Sequence, residues 1–141
     1  AGMALAPGTV HPNHPRALRA SAGSLLRMPV AVEVEIGALE GHLAPAGLRR
    51  LALVPRGGAS LWEADLGGAL ILLLGAEGPG LPEHLDARAD LALTIPLSGS
   101  VESLNATVAA SLVLFEIRRR RSSPPATAGG ADRRRPSDPP P

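Results

Sequence analysis

The sequence contains no cysteine. Disulfides and thiolate metal sites are therefore excluded, and a cytoplasmic setting is expected. Aromatic residues make up 1% of the chain, so a core has to be assembled from Leu, Val, Ile and Ala. Trp62 stands alone and Phe115 reads as a core residue, which leaves no aromatic platform for stacking unpaired bases. No apolar run approaches the roughly 20 residues that span a bilayer. No signal peptide is visible, and no membrane partner is expected. His11, His14, His42 and His84 do not fall at the i, i+4 spacing of a helical zinc pair, so no metal site is predicted.

What is present suits one α/β domain. Hydrophobic residues are 45% of 141, and the formal net charge is only +1. That small charge hides arginine clusters at 118–121 and 133–135. The first cluster extends the last helix, where it either stabilises the helix end or meets phosphates. The chain opens at Ala1 in mid-pattern, and an N-terminal portion is expected to be missing. Residues 1–10 read as a strand remnant and a loop through Pro7-Gly8. A rigid connector leads to Pro15, which suits the first turn of a helix. That helix is expected to run to about Met28, with Leu18, Ala22, Leu25 and Leu26 inward and Arg16, Arg19 and Arg27 offering positive charge. A short strand over 29–36, a helix over 38–48 and a strand over 50–54 follow. Gly57-Gly58 marks a loop. The continuous apolar run 70–74 is expected to be a strand buried on both faces of a parallel sheet. Asp86 and Asp90 read as solvated charges around a short helix. Strands alternating with helices predict an α/β architecture. Residues 122–141, rich in Pro, Ser, Gly and Arg, cannot bury a core and are expected to form a disordered tail.

Two stretches carry more information. In the first, residues 91–95 (Leu-Ala-Leu-Thr-Ile) end a strand, and Pro96 stops the ladder because it has no N–H to give. Ser98-Gly-Ser100 allows a tight turn. From about Glu102 the pattern is helical, with Leu104, Val108, Leu112 and Phe115 on one face. Ser98, Ser100, Glu102, Ser103 and Asn105 crowd the point where strand becomes helix. Helix starts offer unpaired N–H groups there, and open α/β sheets bind ligands in such crevices. The plainer reading is a capped helix on a sheet, with Ser100 as N-cap. The second stretch is Leu74-Gly-Ala-Glu-Gly-Pro-Gly-Leu81, directly after the apolar strand. Its glycines let backbone approach a ligand closely. It matches neither the Walker pattern nor G-x-G-x-x-G. Glu77 would repel a phosphate and better suits hydroxyls or a cationic centre. The plainer reading is an ordinary tight βα turn.

Together these stretches resemble the second and third motifs of the SpoU-type RNA 2′-O-ribose methyltransferases, members of the SPOUT superfamily of knotted methyltransferases. Residues 16–24 (Arg-Ala-Leu-Arg-Ala-Ser-Ala-Gly-Ser), with Met-Pro-Val ending at 30, are similar to the same family's Arg-Ala-Ser-x-Gly segment. The resemblance covers residues 1–121, taken as an N-terminally truncated methyltransferase domain, with the tail 122–141 outside it. It implies a mostly parallel α/β sheet flanked by helices, with a C-terminal trefoil knot, a topology otherwise almost absent from proteins. It implies S-adenosylmethionine as cofactor, with Gly75, Ile95 and Leu104 lining the site: Gly75 leaves room for adenosine, while Ile95 and Leu104 supply apolar walls. The implied reaction is methyl transfer to a ribose 2′-hydroxyl of rRNA or tRNA. That hydroxyl is a poor nucleophile and needs orientation and proton removal. Ser103 and Asn105 are candidates for hydrogen-bonding the ribose or an assisting group. Glu77 is given an orienting or electrostatic role. Glu102 reads as a first-turn helix residue favoured by the dipole. Arg16 and Arg19 are candidate RNA contacts. A homodimer pairing through the knot region is expected.

The chain departs from the family at one place. Members normally carry an earlier Asn-x-Gly followed four residues later by an arginine central to catalysis. Asn13 and Arg19 have the right separation, but Pro15 stands where the glycine belongs, and the surrounding residues fit the later Arg-Ala-Ser-x-Gly segment better. The preferred reading places that motif upstream of Ala1. The alternative function is a non-catalytic remnant that binds cofactor or dimerises without turnover.

Overall fold

Leu and Ala alternate through 51–53 and 91–93. Such side chains can be covered on both faces of a sheet, as the centre of a parallel sheet requires. In the computed structural model, which describes residues 1–76, 78–98 and 103–122, they form its middle. The chain divides into two bodies, Ala1–Leu48 and Arg49–Pro141. The second holds strands β3 (Arg49–Leu53), β4 (Ala59–Ser60), β5 (Leu70–Leu73) and β6 (Leu91–Thr94) in the order β4-β6-β3-β5. Every strand pairing is parallel. Leu51, Ala52 and Leu93, on the two central strands, are wholly buried.

The apolar run at 70–74 is therefore not the most buried strand. β5 lies at the sheet edge, only Leu73 in it is buried, and Leu74 is exposed. A continuous apolar run marks a parallel strand but does not say whether it has one neighbour or two.

Helix α4 (Ala106–Ser122) supplies Ala109, Ala110, Val113 and Ile117 to the core. Of these, Ala109, Val113 and Ile117 meet Leu51, Leu61, Ala64, Leu66, Leu93 and Ile95, with Leu104 packed at the margin. Each fully buried Leu or Val there contributes roughly 1.5–3 kcal/mol. The expected inward face of Leu104, Val108, Leu112 and Phe115 is corrected: Val108, Leu112 and Phe115 are exposed, Phe115 by 71%. The expected start is corrected as well. Asn105 is the cap, its Oδ1 accepting the N–H of Thr107 at 2.9 Å and, more weakly, of Val108 at 3.4 Å. Ser100 and Glu102 lie outside the described residues.

β3 and β4 are joined only by residues 54–58, yet β6 lies between them. Leu53 and Ala59 both pair with Leu93. The link thus leaves and re-enters the sheet at the same level of β6, while β6 continues to Thr94. It must lie across one face of that strand rather than round its end. Gly58 makes this possible, since a Cβ there would stand 2.8 Å from the Ala92 carbonyl group.

The first body pairs β1 (Met3–Ala4) with β2 (Val30–Ala31), also in parallel. Helix α1 (Pro15–Ala20) starts at Pro15 as expected, with His14 Nδ1 accepting the Arg16 N–H. It ends far short of Met28, because Ala22 and Gly23 turn left-handed with φ of 47° and 81°; a 3-10 turn, Ser24–Leu26, follows. Leu18 and Leu25 are half-buried, but Ala22 and Leu26 are exposed. The strand foreseen over 29–36 shrinks to β2, and Ile36 opens helix α2 (Ile36–Leu43). The first body contains no fully buried side chain among the described residues. Among the described residues no helix is long and apolar enough to cross a membrane.

Candidate functional site at the strand ends

β5 and β6 both pair with β3, one on each side, and all three run parallel. Ala52 is level with Leu73 and with Ala92. Gly75 and Thr94, each two residues further on, therefore flank the end of β3, about 10 Å apart across two strand spacings. The chain leaves β3 toward β4 on one side, while β5 stands on the other. Such a reversal at the carboxyl ends of parallel strands opens a crevice, the usual ligand site of α/β sheets.

On the β5 side the loop folds back on itself. Ala76 and Gly80 exchange main-chain hydrogen bonds of 3.1 and 2.9 Å, with Gly78 and Gly80 at φ of 95° and 75°. Gly75 lies so close to Gly80 and Leu81 that a Cβ would overlap their backbone. Its lack of a side chain thus serves the loop's own closure, before any ligand is considered. Glu77 lies outside the described residues. The short helix α3 (Glu83–Asp86) follows. Asp90, expected as a solvated charge, is instead held by Arg50. It accepts from Arg50 N–H at 2.7 Å, Nε at 3.0 Å and Nη2 at 2.8 Å. These bonds hold its carboxyl well below the usual carboxylate range.

On the β6 side, Thr94 is followed by Ile95, which is 8% exposed and belongs to the core. Ile95 cannot give a ligand the apolar wall expected of it; what it can offer is main chain. Leu104 is half-buried and packed on the same core, so it can flank a ligand with one edge. Leu74 and Leu97, not singled out from sequence, are exposed apolar residues where the chain leaves β5 and β6. Ser103 is exposed just before the cap, and Asn105 is exposed with its Oδ1 engaged by the helix. Arg16 and Arg19 belong to the first body, both exposed on α1. Sequence reasoning also missed Thr94, the one polar side chain in the run 91–95; a β-branched residue in a strand draws no notice.

The basic end of α4 is largely engaged internally. Arg120 donates to the carbonyls of Ala64, Leu61 and Trp62 at 2.6, 2.7 and 2.8 Å, and Arg121 to Gly68 at 2.6 Å. Glu116, buried, receives Arg119 and Arg120. The pair draws its pKa from 4.5 to about 2, the Arg119 bonds contributing most and burial opposing. Arg120 and Arg121 fasten α4 to the 61–68 loop, a role that neither helix-end stabilisation nor phosphate contact anticipated.

The sequence model of the SpoU rRNA Methylase family matches residues 2–115. A protein of Mycolicibacterium smegmatis described as an uncharacterized tRNA/rRNA methyltransferase is 40% identical over 103 residues, 73% of this chain and 33% of that protein. The chain thus spans about a third of the length of that curated relative. The crystal structure of the SpoU methyltransferase AviRb from Streptomyces viridochromogenes, in complex with the cofactor AdoMet, superposes with a TM-score of 0.77 at 27% identity. The match covers 87% of this chain and 49% of that one. A structure described for the 2-OH methylation of C/U34 on tRNA superposes at 0.75 with 32% identity, covering 85% and 78%. With the family's motifs set at the carboxyl ends of parallel strands and its sequence model matched over most of the length, the chain belongs to the SpoU rRNA methylase family.

Proposed function

We propose that this chain carries the cofactor-binding and catalytic portion of an enzyme that transfers a methyl group from S-adenosylmethionine to a ribose 2′-hydroxyl of ribosomal or transfer RNA. The observation that carries this reading is the placement of the Gly75 loop and of the Thr94–Ile95 end of β6 on opposite sides of the β3 end, where parallel sheets take their ligands. The AdoMet complex of AviRb supports the cofactor, and the tRNA 2-OH methylation structure supports the acceptor. The residues present fit an adenosine group: main chain at Gly75 and Ile95, an apolar flank at Leu104, and exposed Leu74 and Leu97 beside it. When bound, the cofactor supplies an electrophilic methyl on a sulfonium. Ser103 is assigned to hydrogen-bond the ribose, and Glu77 to orient it or balance the sulfonium charge. Asn105 caps the start of α4, and a fixed helix start is the preorganisation that methyl transfer needs. Arg16 and Arg19 are assigned to RNA phosphates.

The reading extends to assembly and topology. The threading of β6 between β3 and β4 supports a trefoil knot in this part of the chain. Val108, Leu112 and Phe115 form an exposed apolar stripe along α4, and such a stripe supports homodimerisation through this helix. Residues 1–121 are taken as the methyltransferase domain and 122–141 as a tail.

The test is calorimetric titration with S-adenosylhomocysteine, followed by tritiated methyl transfer to bacterial RNA. Binding at micromolar concentration and label on ribose are expected; label on a base alone would overturn the ribose assignment. One observation favours a second reading, a body that binds cofactor without turnover. Arg19, the one positional match to the family's early arginine, stands on a six-residue helix that opens with Pro15. Robust transfer that vanishes in Arg19→Ala would remove that second reading.

A further inference from the structure

Thr94 grips three points of the chain that crosses its strand. Its Oγ1 accepts the Gly58 N–H at 2.9 Å and donates to the Val54 carbonyl at 3.2 Å. Its own carbonyl accepts the Leu61 N–H at 2.9 Å. Val54 and Gly58 are the two ends of the link that lies across β6. The hydroxyl thus uses its donor toward one end and its acceptor toward the other. Strand formation does not ask for this hydroxyl, since valine has the same shape and at least equal strand propensity.

We propose that the Thr94 hydroxyl positions the cofactor crevice: by clasping both ends of the 54–58 link, it sets the end of β3, where Val54 begins, against the end of β6, where Ile95 begins. This rests on the reading of the crevice as the S-adenosylmethionine site. Two features make the clasp matter there. Gly58 sits against the Ala92 and Leu93 backbone with no room to spare, so the link can shift only outward. Val54 also donates its N–H to Leu93 at 2.9 Å, so an outward shift at 54 disturbs the last paired residues of both strands. Removing the hydroxyl leaves an N–H and a C=O under the link without their partner, a cost larger than that of the bond itself. Thr94 touches no ligand in this scheme and acts through the main chain of Ile95.

The experiment compares Thr94→Val, Thr94→Ser and a core control, Ile117→Ala, in the protein that carries this chain. Three quantities are read: S-adenosylhomocysteine affinity, melting temperature, and hydrogen exchange at the Gly58 amide. Thr94→Val is expected to weaken binding about tenfold, the effect of losing both part-buried hydrogen bonds that hold the ends of the link. Its Gly58 amide should exchange faster, and Thr94→Ser should keep both near wild type. Ile117→Ala should lower the melting temperature at least as much without weakening binding. Wild-type affinity in Thr94→Val, an equal loss in the core control, or a serine variant as weak as valine would each overturn the proposal. A wild-type protein that binds no cofactor would overturn the functional reading itself. Unchanged Gly58 exchange in Thr94→Val would refute the clasp whatever the cofactor does.

Discussion

A methyl group added at Gly58 would stand 2.8 Å from the carbonyl carbon and oxygen of Ala92, well inside van der Waals contact and against backbone that cannot step aside. Gly58→Ala is therefore expected to destabilise the fold by about 1–3 kcal/mol, the usual cost of overpacking, read as a lower urea midpoint. Gly75→Ala should open the Ala76–Gly80 turn for the same reason. Loss of cofactor affinity in that variant would report a sprung loop rather than a filled adenosine space. Both glycines were visible in the sequence as loop markers. Their reason was not, because it depends on which strand lies beneath the link and how the loop doubles back. Charge was equally hard to read from the chain alone: Asp90 and Glu116 depend on arginines at separations of 40 and 3–4 residues. Glu116 carries a pH prediction. Its pKa is lower in the fold than in the open chain, so its contribution to stability is complete above about pH 4.5 and is lost as pH falls toward 2. Glu116→Gln should flatten the fall of the urea midpoint across that interval. An unchanged acid limb would show that the Arg119 and Arg120 pairing contributes nothing in solution.

Helix α4 illustrates why an element can be foreseen and its face misjudged. Apolar side chains occupy most of its circumference, with Val108, Ala109, Ala110, Leu112, Val113, Leu114, Phe115 and Ile117 in one short run. Periodicity cannot then choose a face. The choice follows from Arg120 and Arg121, which reach carbonyls on the 61–68 loop. Arg120→Ala should consequently lower the melting temperature by several degrees, since three carbonyls lose their donor and Glu116 keeps only Arg119 of its two arginines; Arg118→Ala, at an exposed position, should not. The face left outward predicts assembly. Phe115→Asp is expected to shift the protein from dimer to monomer in sedimentation equilibrium without lowering its stability, and a wild type that sediments as a monomer would sink the dimer assignment. At the helix start the two roles of Asn105 can be separated. Asn105→Ala should cost about 1 kcal/mol as a lost cap, and Asn105→Asp should restore that stability. Activity that also returns with aspartate would confine Asn105 to capping.

Across the whole molecule, the parallel sheet and the loops at its strand ends were legible, because each rests on local chemistry: Pro96 ending a ladder, glycines in a turn, Leu and Ala in strands. The expected alternation with helices was not, since β3, β4 and β5 follow one another with no helix between. Strand order was not legible. Nothing near 54–58 or 91–94 announces that the later segment lies between two earlier ones. Residues 123–141 lie outside the described residues, and among the described residues the core draws on nothing beyond Ile117. Deleting 123–141 is therefore expected to leave the melting temperature unchanged. Any accompanying loss of RNA affinity should fade as salt rises, as phosphate contacts do; a marked thermal loss would show that the tail docks on the domain. The link across β6 has a consequence for synthesis. A ribosome releases β3, the link and β4 before β6 exists, so the slot between them must stay open, or reopen, until 91–94 arrive. Synonymous changes that slow translation of residues 61–90 would then give β3 and β4 time to close on each other. The nascent chain would become a client of chaperones for as long as that slot stayed shut.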